Sequence, residues 1–219
     1  MNPHLTQPIT LEGKLVRLEP LTMAHLPALL EIAQLEEYPY TTVPRSEVGM
    51  RRYIQAALDE QAQGQALPFA TVDKRASCVV GSTRFMAFEY WPWPENSPHY
   101  RPQRPDAVEI GHTWLAPPAQ RTGLNTEAKL LMLTHAFEGL GVRRVTLKTD
   151  ARNLRSRRAI ERLGAHLDGI LRAHRPAADG GIRDSAMYSI LAKEWPAVKA
   201  RLLGLLAQTR QAGEPPDLL

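Results

Sequence analysis

Cys78 is the single cysteine in a chain of 219 residues. One thiol excludes an internal disulfide and any cysteine-built zinc site. It is compatible with a reducing compartment without proving one. Nowhere is there an apolar run of about 20 residues, so no membrane span is expected. The segment Met1-Asn2-Pro3-His4-Leu5-Thr6-Gln7-Pro8 has neither a basic n-region nor an apolar h-region, so no signal peptide is expected and a cytoplasmic location is. The chain has no Gly-x-Gly-x-x-Gly run and no loop ending in Gly-Lys-Ser/Thr. The dinucleotide fingerprint and the Walker loop are therefore both missing. No repeat recurs at a fixed period. The net charge of +4 is a mild positive excess that names no partner by itself. With no aromatic-basic RNA-binding pattern and no zinc-finger spacing, no specific nucleic acid partner is expected.

What is present suits one domain. Hydrophobic residues make up 43% of the chain, ample for one core. Lys14 to Glu19 alternates as a first strand. Thr22 stands as N-cap to a helix carrying Leu26, Leu29, Leu30 and Ile32, and Ser46 begins a second helix to about Gln63. Leu67–Asp73 and Cys78–Glu89 read as strands. Residues 90–105, with Trp91, Pro92, Trp93 and Pro94, read as a loop insertion, because proline removes ladder donors. Ala107–Leu115 is a strong strand, with Val108, Ile110, His112 and Trp114 on one face and Glu109, Gly111 and Thr113 on the other. A helix to about Leu140 stops at Gly141. Val142–Thr149 is a strand, and Asn153–Leu163 is a basic helix ending at Gly164. Strands at about 166–175 and 183–191 flank Asp179-Gly180-Gly181 as a hairpin. A last helix starts near Trp195. Residues 1–10 read as an extension, 11–208 as one domain, and 209–219 as a tail that frays. This order supports a mixed-sheet α/β or α+β domain and nothing finer.

Between a strand and a helix stands Gln120-Arg121-Thr122-Gly123-Leu124-Asn125. A helix N-terminus offers unpaired N–H groups and a positive dipole end, and a loop entering it can wrap a phosphate. Gly123 removes a side chain where such a ligand would approach, Arg121 adds charge, and Asn125 can cap the helix. A plain turn explains the glycine equally well.

The surroundings of this loop carry a resemblance. Glu109-Ile110-Gly111-His112-Thr113-Trp114, Gln120-Arg121-Thr122-Gly123 and Asn125-Thr126-Glu127-Ala128-Lys129 resemble the GNAT acetyltransferases of the ribosomal-protein (RimJ/RimL-type) branch. So do Lys148-Thr149-Asp150-Ala151-Arg152-Asn153, Ser156-Arg157-Arg158-Ala159-Ile160 and Arg162-Leu163-Gly164-Ala165. The similarity spans roughly residues 10–205 and is most specific over 109–165. It implies the GNAT fold, a central mixed, mostly antiparallel sheet of about seven strands flanked by helices. It also implies acetyl-CoA as acetyl donor, direct transfer to an amine, and no metal. Gln120, Arg121, Thr122, Gly123, Leu124, Asn125 and Thr126 would then surround the pyrophosphate. The backbone of Trp114 and Leu115 would pair with the pantetheine arm. Asn153, Ser156 and Arg158 would complete the coenzyme site. Asn125 departs from the usual Gly or Ala at its position.

Acetyl transfer needs a group that takes a proton from the amine. Glu109 is the candidate, directly or through water; an ion-paired surface glutamate is the plainer reading. His112 reads as a packed core histidine. Many GNAT enzymes carry a tyrosine acid four residues after Ser156, where this chain has Ile160. Thiolate is a fair leaving group, so Ser156 could suffice by hydrogen bonding to sulfur. Arg152, Arg155, Arg157, Arg158 and Arg162 form a solvated basic face or a patch for the coenzyme phosphate, with Arg158 or Arg121 as the contact. For the acceptor, Glu37, Tyr38 and Tyr40 on the connection between the first helices, together with Glu109 and Arg84, are the candidate walls; Glu36, Tyr188, Trp91 and Trp93 are further ones. The expected activity is N-acetyl transfer to a protein N-terminus, amino acid or small amine. The competing reading is a coenzyme A-binding module without catalysis, which the missing tyrosine keeps open. A homodimer is left open as well.

Overall fold

Eight strands make one sheet in the order β1-β2-β3-β4-β5-β6-β8-β7. They are β1 (Leu11–Glu12), β2 (Val16–Pro20), β3 (Ala66–Asp73), β4 (Cys78–Glu89), β5 (Ala107–Leu115), β6 (Arg144–Asp150), β7 (His166–Pro176) and β8 (Ile182–Leu191). Among these neighbours only β5 and β6 run parallel. The computed structural model describes residues 3–211, so residues 1–2 and 212–219 of the expected terminal extensions lie outside it. The strand beyond the expected seven is β1, too short for alternation to reveal. The first expected strand, Lys14–Glu19, begins two residues later, at Val16. The reason is Glu127, whose carboxylate accepts the N–H groups of Lys14 (3.0 Å), Leu15 (2.6 Å) and Val16 (2.8 Å).

Helices α1 (Leu26–Ala33) and α2 (Glu47–Ala62) cover one face of the sheet. Leu29, Ala33, Met50, Ile54 and Ala57 recur at helical spacing and close a core with Ala70 and Trp114. Helices α3 (Leu124–Thr134), α4 (Leu154–Leu163) and α5 (Trp195–Gln211) cover the other. There Ala128, Met132, Ile160, Leu163 and Leu202 pack on Val108, Ile110, Val145 and Leu147. Ser46 caps α2, its Oγ accepting from the Gly49 N–H at 3.1 Å. Thr22 opens a 3-10 turn (Met23–His25) and α1 follows at Leu26, a correction to the single helix expected from Thr22. The helix expected to reach Leu140 is α-helical to Thr134 and a π-helical turn from His135, stopped by Gly141 at φ 69°.

Two features of β5 shape the site. The first is a bulge. Gly111 faces Arg84 and Trp114 faces Ser82, so His112 and Thr113 together oppose one residue of β4. His112 takes up the extra residue at φ 49°. The alternation inverts there: Val108 and Ile110 enter the core under α3, while Trp114 enters the core under α1 and α2. The expected common face of Val108, Ile110, His112 and Trp114 is therefore broken, and His112 is exposed rather than a core residue. The second is a wedge. β5 and β6 pair at Ala107↔Arg144, Val108↔Val145 and Glu109↔Thr146, and then part. Past Glu109 the β6-facing backbone edge of β5 is left open to another extended chain.

The proline-aromatic insertion is tied down at the closed end of the wedge. Asp106 accepts from the Trp91 N–H (2.9 Å), the Trp93 Nε1–H (3.1 Å) and Arg143 Nε (2.8 Å). The Arg143 guanidinium lies 5.2 Å from the Trp93 ring centre. These tryptophans pack beside the first residues of β5 and β6.

Candidate active site

The open end of the wedge is framed by two helix N-termini. At the exit of β5, Gly123 is the N-cap of α3 at φ 89°, and Arg121 also adopts a left-handed backbone at φ 63°. Alternating left-handed residues turn successive N–H groups toward one concavity, and the first amides of α3 add to it. Gly123 has a packing reason as well: a Cβ there would meet Thr209 Cγ2 at 3.2 Å. Asn125 does not cap the helix as expected. It sits inside the first turn, with its Oδ1 buried and unpartnered among the described residues. At the exit of β6, Asn153 caps α4, its Oδ1 accepting the Ser156 N–H at 3.0 Å. Ser156 is half-buried on this first turn, and Arg158 and Arg121 are exposed.

A polar network ties the two sides together. Gln120 Nε2 donates to the Leu115 carbonyl (2.9 Å) and to Glu36 Oε2 (2.8 Å). Arg155 of α4 reaches Glu36 Oε1 at 2.9 Å and Gln120 Oε1 at 3.2 Å. The Tyr38 hydroxyl donates to the same Leu115 carbonyl at 3.2 Å, and its ring meets Trp114 edge-on at 5.8 Å. Burial, then the Glu36 charge, push the Tyr38 phenol above its ordinary range. Glu36 is thus spent on Arg155 and Gln120, while exposed Glu37 has Arg45 at 3.5 Å. Tyr40 lies under the Arg152 guanidinium, 5.4 Å from its ring centre. The connection between α1 and α2 also lines an open depression of about 290 Å³ with Ala178 of the β7–β8 turn.

Glu109 sits where β5 and β6 separate. Its side chain is 7% exposed, and its Oε2 is 2.6 Å from Lys148 Nζ on β6. Gly111 leaves room for it, since a Cβ there would stand 3.0 Å from Glu109 Oε1. Arg84 is buried on the same face, donating to Glu60 at 2.8 Å and lying 5.3 Å from the Tyr53 ring centre. His112 is open to solvent on one side and ringed by protein on the others. Burial first, then the charges of Arg84, Arg175, Lys148 and Arg183, bring its pKa down to about 4. It is neutral at pH 7. Tyr188 is no wall: it is fully buried toward α4, donating to Glu161 (2.8 Å) and accepting from Arg157 (3.0 Å). Ile160 is likewise buried in the core.

The acetyltransferase (GNAT) domain profile matches residues 16–166. The chain belongs to the GNAT acetyltransferase family. Its fold is that of solved GNAT structures. A GCN5-related N-acetyltransferase from Brucella melitensis is 29% identical, with TM-score 0.76 over 91% of this chain and 86% of that one. A protein assigned as an acetyltransferase from T. thermophilus is 38% identical, with TM-score 0.73 over 91% and 98%. Mycobacterium smegmatis RimJ, solved in complex with CoA-disulfide, shares the fold at 21% identity, with TM-score 0.70 over 90% and 92%. Among curated proteins no relative matches the chain.

Several basic residues in and around this GNAT site have partners that the sequence does not reveal. Lys148, Arg155, Arg183 and Lys129 are single basic residues whose positions depend on how strands and helices meet. Lys129 is the extreme case: its Nζ is buried under β5, bonded to Thr113 Oγ1 (2.6 Å) and Thr83 Oγ1 (3.3 Å). Desolvation lowers its pKa to about 7.

Proposed function

We propose that this GNAT N-acetyltransferase moves an acetyl group from acetyl-CoA directly to a primary amine, with Glu109 accepting the amine proton. The observation that carries the reading is the placement of Glu109 at the fork of β5 and β6, with the N-termini of α3 and α4 at the open end of the same wedge. The residues present fit the coenzyme. The Arg121–Gly123 backbone and the α3 N-terminus suit a pyrophosphate, and the free edge of β5 suits an amide-bearing arm. Gln120 through Thr126, with Asn153, Ser156 and Arg158, would hold it, and it supplies an acetyl thioester. That M. smegmatis RimJ, of the same fold, was solved with CoA-disulfide supports coenzyme A as the ligand.

The chain's own residues divide the work. Glu109, paired with Lys148, is a buried carboxylate that can take a proton once an amine docks, directly or through one water. The β5 amides near Trp114 can polarise a carbonyl oxygen. Ser156 can donate to a departing sulfur, which needs no strong acid. Glu37, Tyr38, Tyr40 and Arg84 stand as acceptor-side residues. The reading is tested by a crystal soaked with coenzyme A and by thiol release on an amine panel. Pyrophosphate density over residues 121–126 and amine-dependent release are the expected results. Coenzyme binding with no turnover on any amine would favour the binding-module reading instead.

A further inference from the structure

The β7–β8 end of the sheet is basic in a way that neither the fold nor acid-base chemistry requires, with Arg175 exposed and Arg183 half-buried. Arg175 of β7 and Arg183 of β8 are direct cross-strand partners. Like charges placed directly opposite weaken a sheet. Neither arginine has an ion-pair partner among the described residues. Arg183 is half-buried, and its Nε donates only to a serine hydroxyl, Ser185 Oγ, at 2.9 Å. The Ser185 side chain also meets His174 Nδ1 at 2.9 Å and is itself fully buried, so the group is held in place from beneath. A bulge in β7, with Ala173 at φ 47° and its N–H on Asp184 Oδ1 at 2.7 Å, sets His174 and Arg175 at this register.

Nearby carboxylates are committed elsewhere. Asp150 is held by Arg152 at 2.8 Å, Glu60 by Arg84 at 2.8 Å, and Glu109 by Lys148 at 2.6 Å. On the sheet face that carries Lys148, Met187 lies opposite Lys148 and Ser185 opposite Asp150, so Arg183, bonded to Ser185, continues the same row of side chains. The charges of Arg175, Lys148 and Arg183 also bear on both His112 and His174. Glu109 joins that row through Lys148, 2.6 Å from its Oε2. The charges of Asp150 and Glu109 both bear on Arg183. An anion arriving between Arg175 and Arg183 would relieve their repulsion and gain charge-assisted hydrogen bonds.

Resting on the N-acetyl transfer reading, we propose that the acceptor is an amine that carries an oxyanion, a carboxylate or a phosphate, a few bonds from its amino group. Arg175 and Arg183 hold the anion while Glu109 faces the amine. The two arginines are specificity residues for the acceptor, and Lys148 serves Glu109.

Matched pairs test this: glycine against glycinamide, phosphoethanolamine against ethanolamine, and the peptide amides Ser-Asp-Glu against Ser-Asn-Gln. Within the pair that reacts, the anionic member should show kcat/KM at least tenfold higher. The pair that responds identifies the source of the anion. The double variant Arg175→Gln/Arg183→Gln should erase that preference through KM, with the KM of acetyl-CoA unchanged. Arg183→Lys should keep much of it. Lys193→Gln, removing one charge beyond the far end of β8, should leave it intact. Equal or better use of the neutral members overturns the proposal. So does a preference that survives the double variant, or a rise in the acetyl-CoA KM alone, which would assign these arginines to the coenzyme. If no amine turns over, the transfer reading fails, and calorimetry of the same pairs on the coenzyme A-loaded protein still decides. Anion-dependent binding lost in the double variant upholds the anion site, and its absence overturns it.

Discussion

Glu109 and Lys148 form a buried ion pair, 2.6 Å apart, at the point where β5 and β6 stop pairing. One parallel ladder ends and the next residue pair no longer competes for the space, so two long polar side chains can meet inside the sheet. For a carboxylate meant to take a proton, that placement supplies both burial and a fixed orientation. Glu109→Gln keeps the shape and removes the base. Its kcat should fall by about 10²–10⁴, the usual worth of a positioned acid-base group. The KM for acetyl-CoA should stay within about twofold. Steady-state kinetics of thiol release would check both, and an unchanged kcat would remove Glu109 from the chemistry.

Lys129 makes folding stability depend on pH. Its folded pKa of about 7 lies well below that of an unfolded lysine, about 10.4. Between those values the unfolded chain binds the extra proton, so stability rises with pH from about 7 to about 10 and is lowest below 7. Lys129→Met fills the site without a charge. It should flatten that rise and add stability on the order of a few kcal/mol at pH 6. Urea melts at pH 6, 8 and 10 would show it; parallel profiles for both proteins would refute it.

Glu127 ties α3 to the turn that leads into β2. It is buried and accepts three backbone N–H groups. Glu127→Ala leaves those donors without an acceptor in a site closed to water. The expected loss is about 3 kcal/mol or more. Thermal unfolding should move down by several degrees, since about 1 kcal/mol corresponds to 2–4 °C at this chain length. Melting within a degree of the parent would show that the amides find other partners.

Asn153→Ala separates capping from coenzyme contact. Loss of the Ser156 N–H bond should cost about 1 kcal/mol of stability. Asn153→Asp keeps the cap. If Asn153 also meets the pantetheine arm, the Asp variant will restore stability while the acetyl-CoA KM remains raised.

The sequence by itself determined the order of the longer strands and helices, the cap at Ser46, the stops at Gly141 and Gly164, and the family. These are local signals: a side chain satisfying an amide three residues away, or a glycine entering the left-handed region. The motif around Gln120–Gly123 is of the same kind, since it couples a turn to a helix start. Only the tertiary structure decided which face His112 and Trp114 occupy, because one bulge residue inverts a period-two pattern without changing its composition. It also decided the partners of Glu109, Glu36, Lys129 and Arg183. Glu36 meets Arg155 across 119 residues of chain, and Lys148 lies on a strand joined to β5 through a whole helix. A charge has no periodicity that reveals its counter-ion. Its partner is chosen where separate elements pack, and there the buried carboxylate and the uncompensated arginines acquire their chemistry.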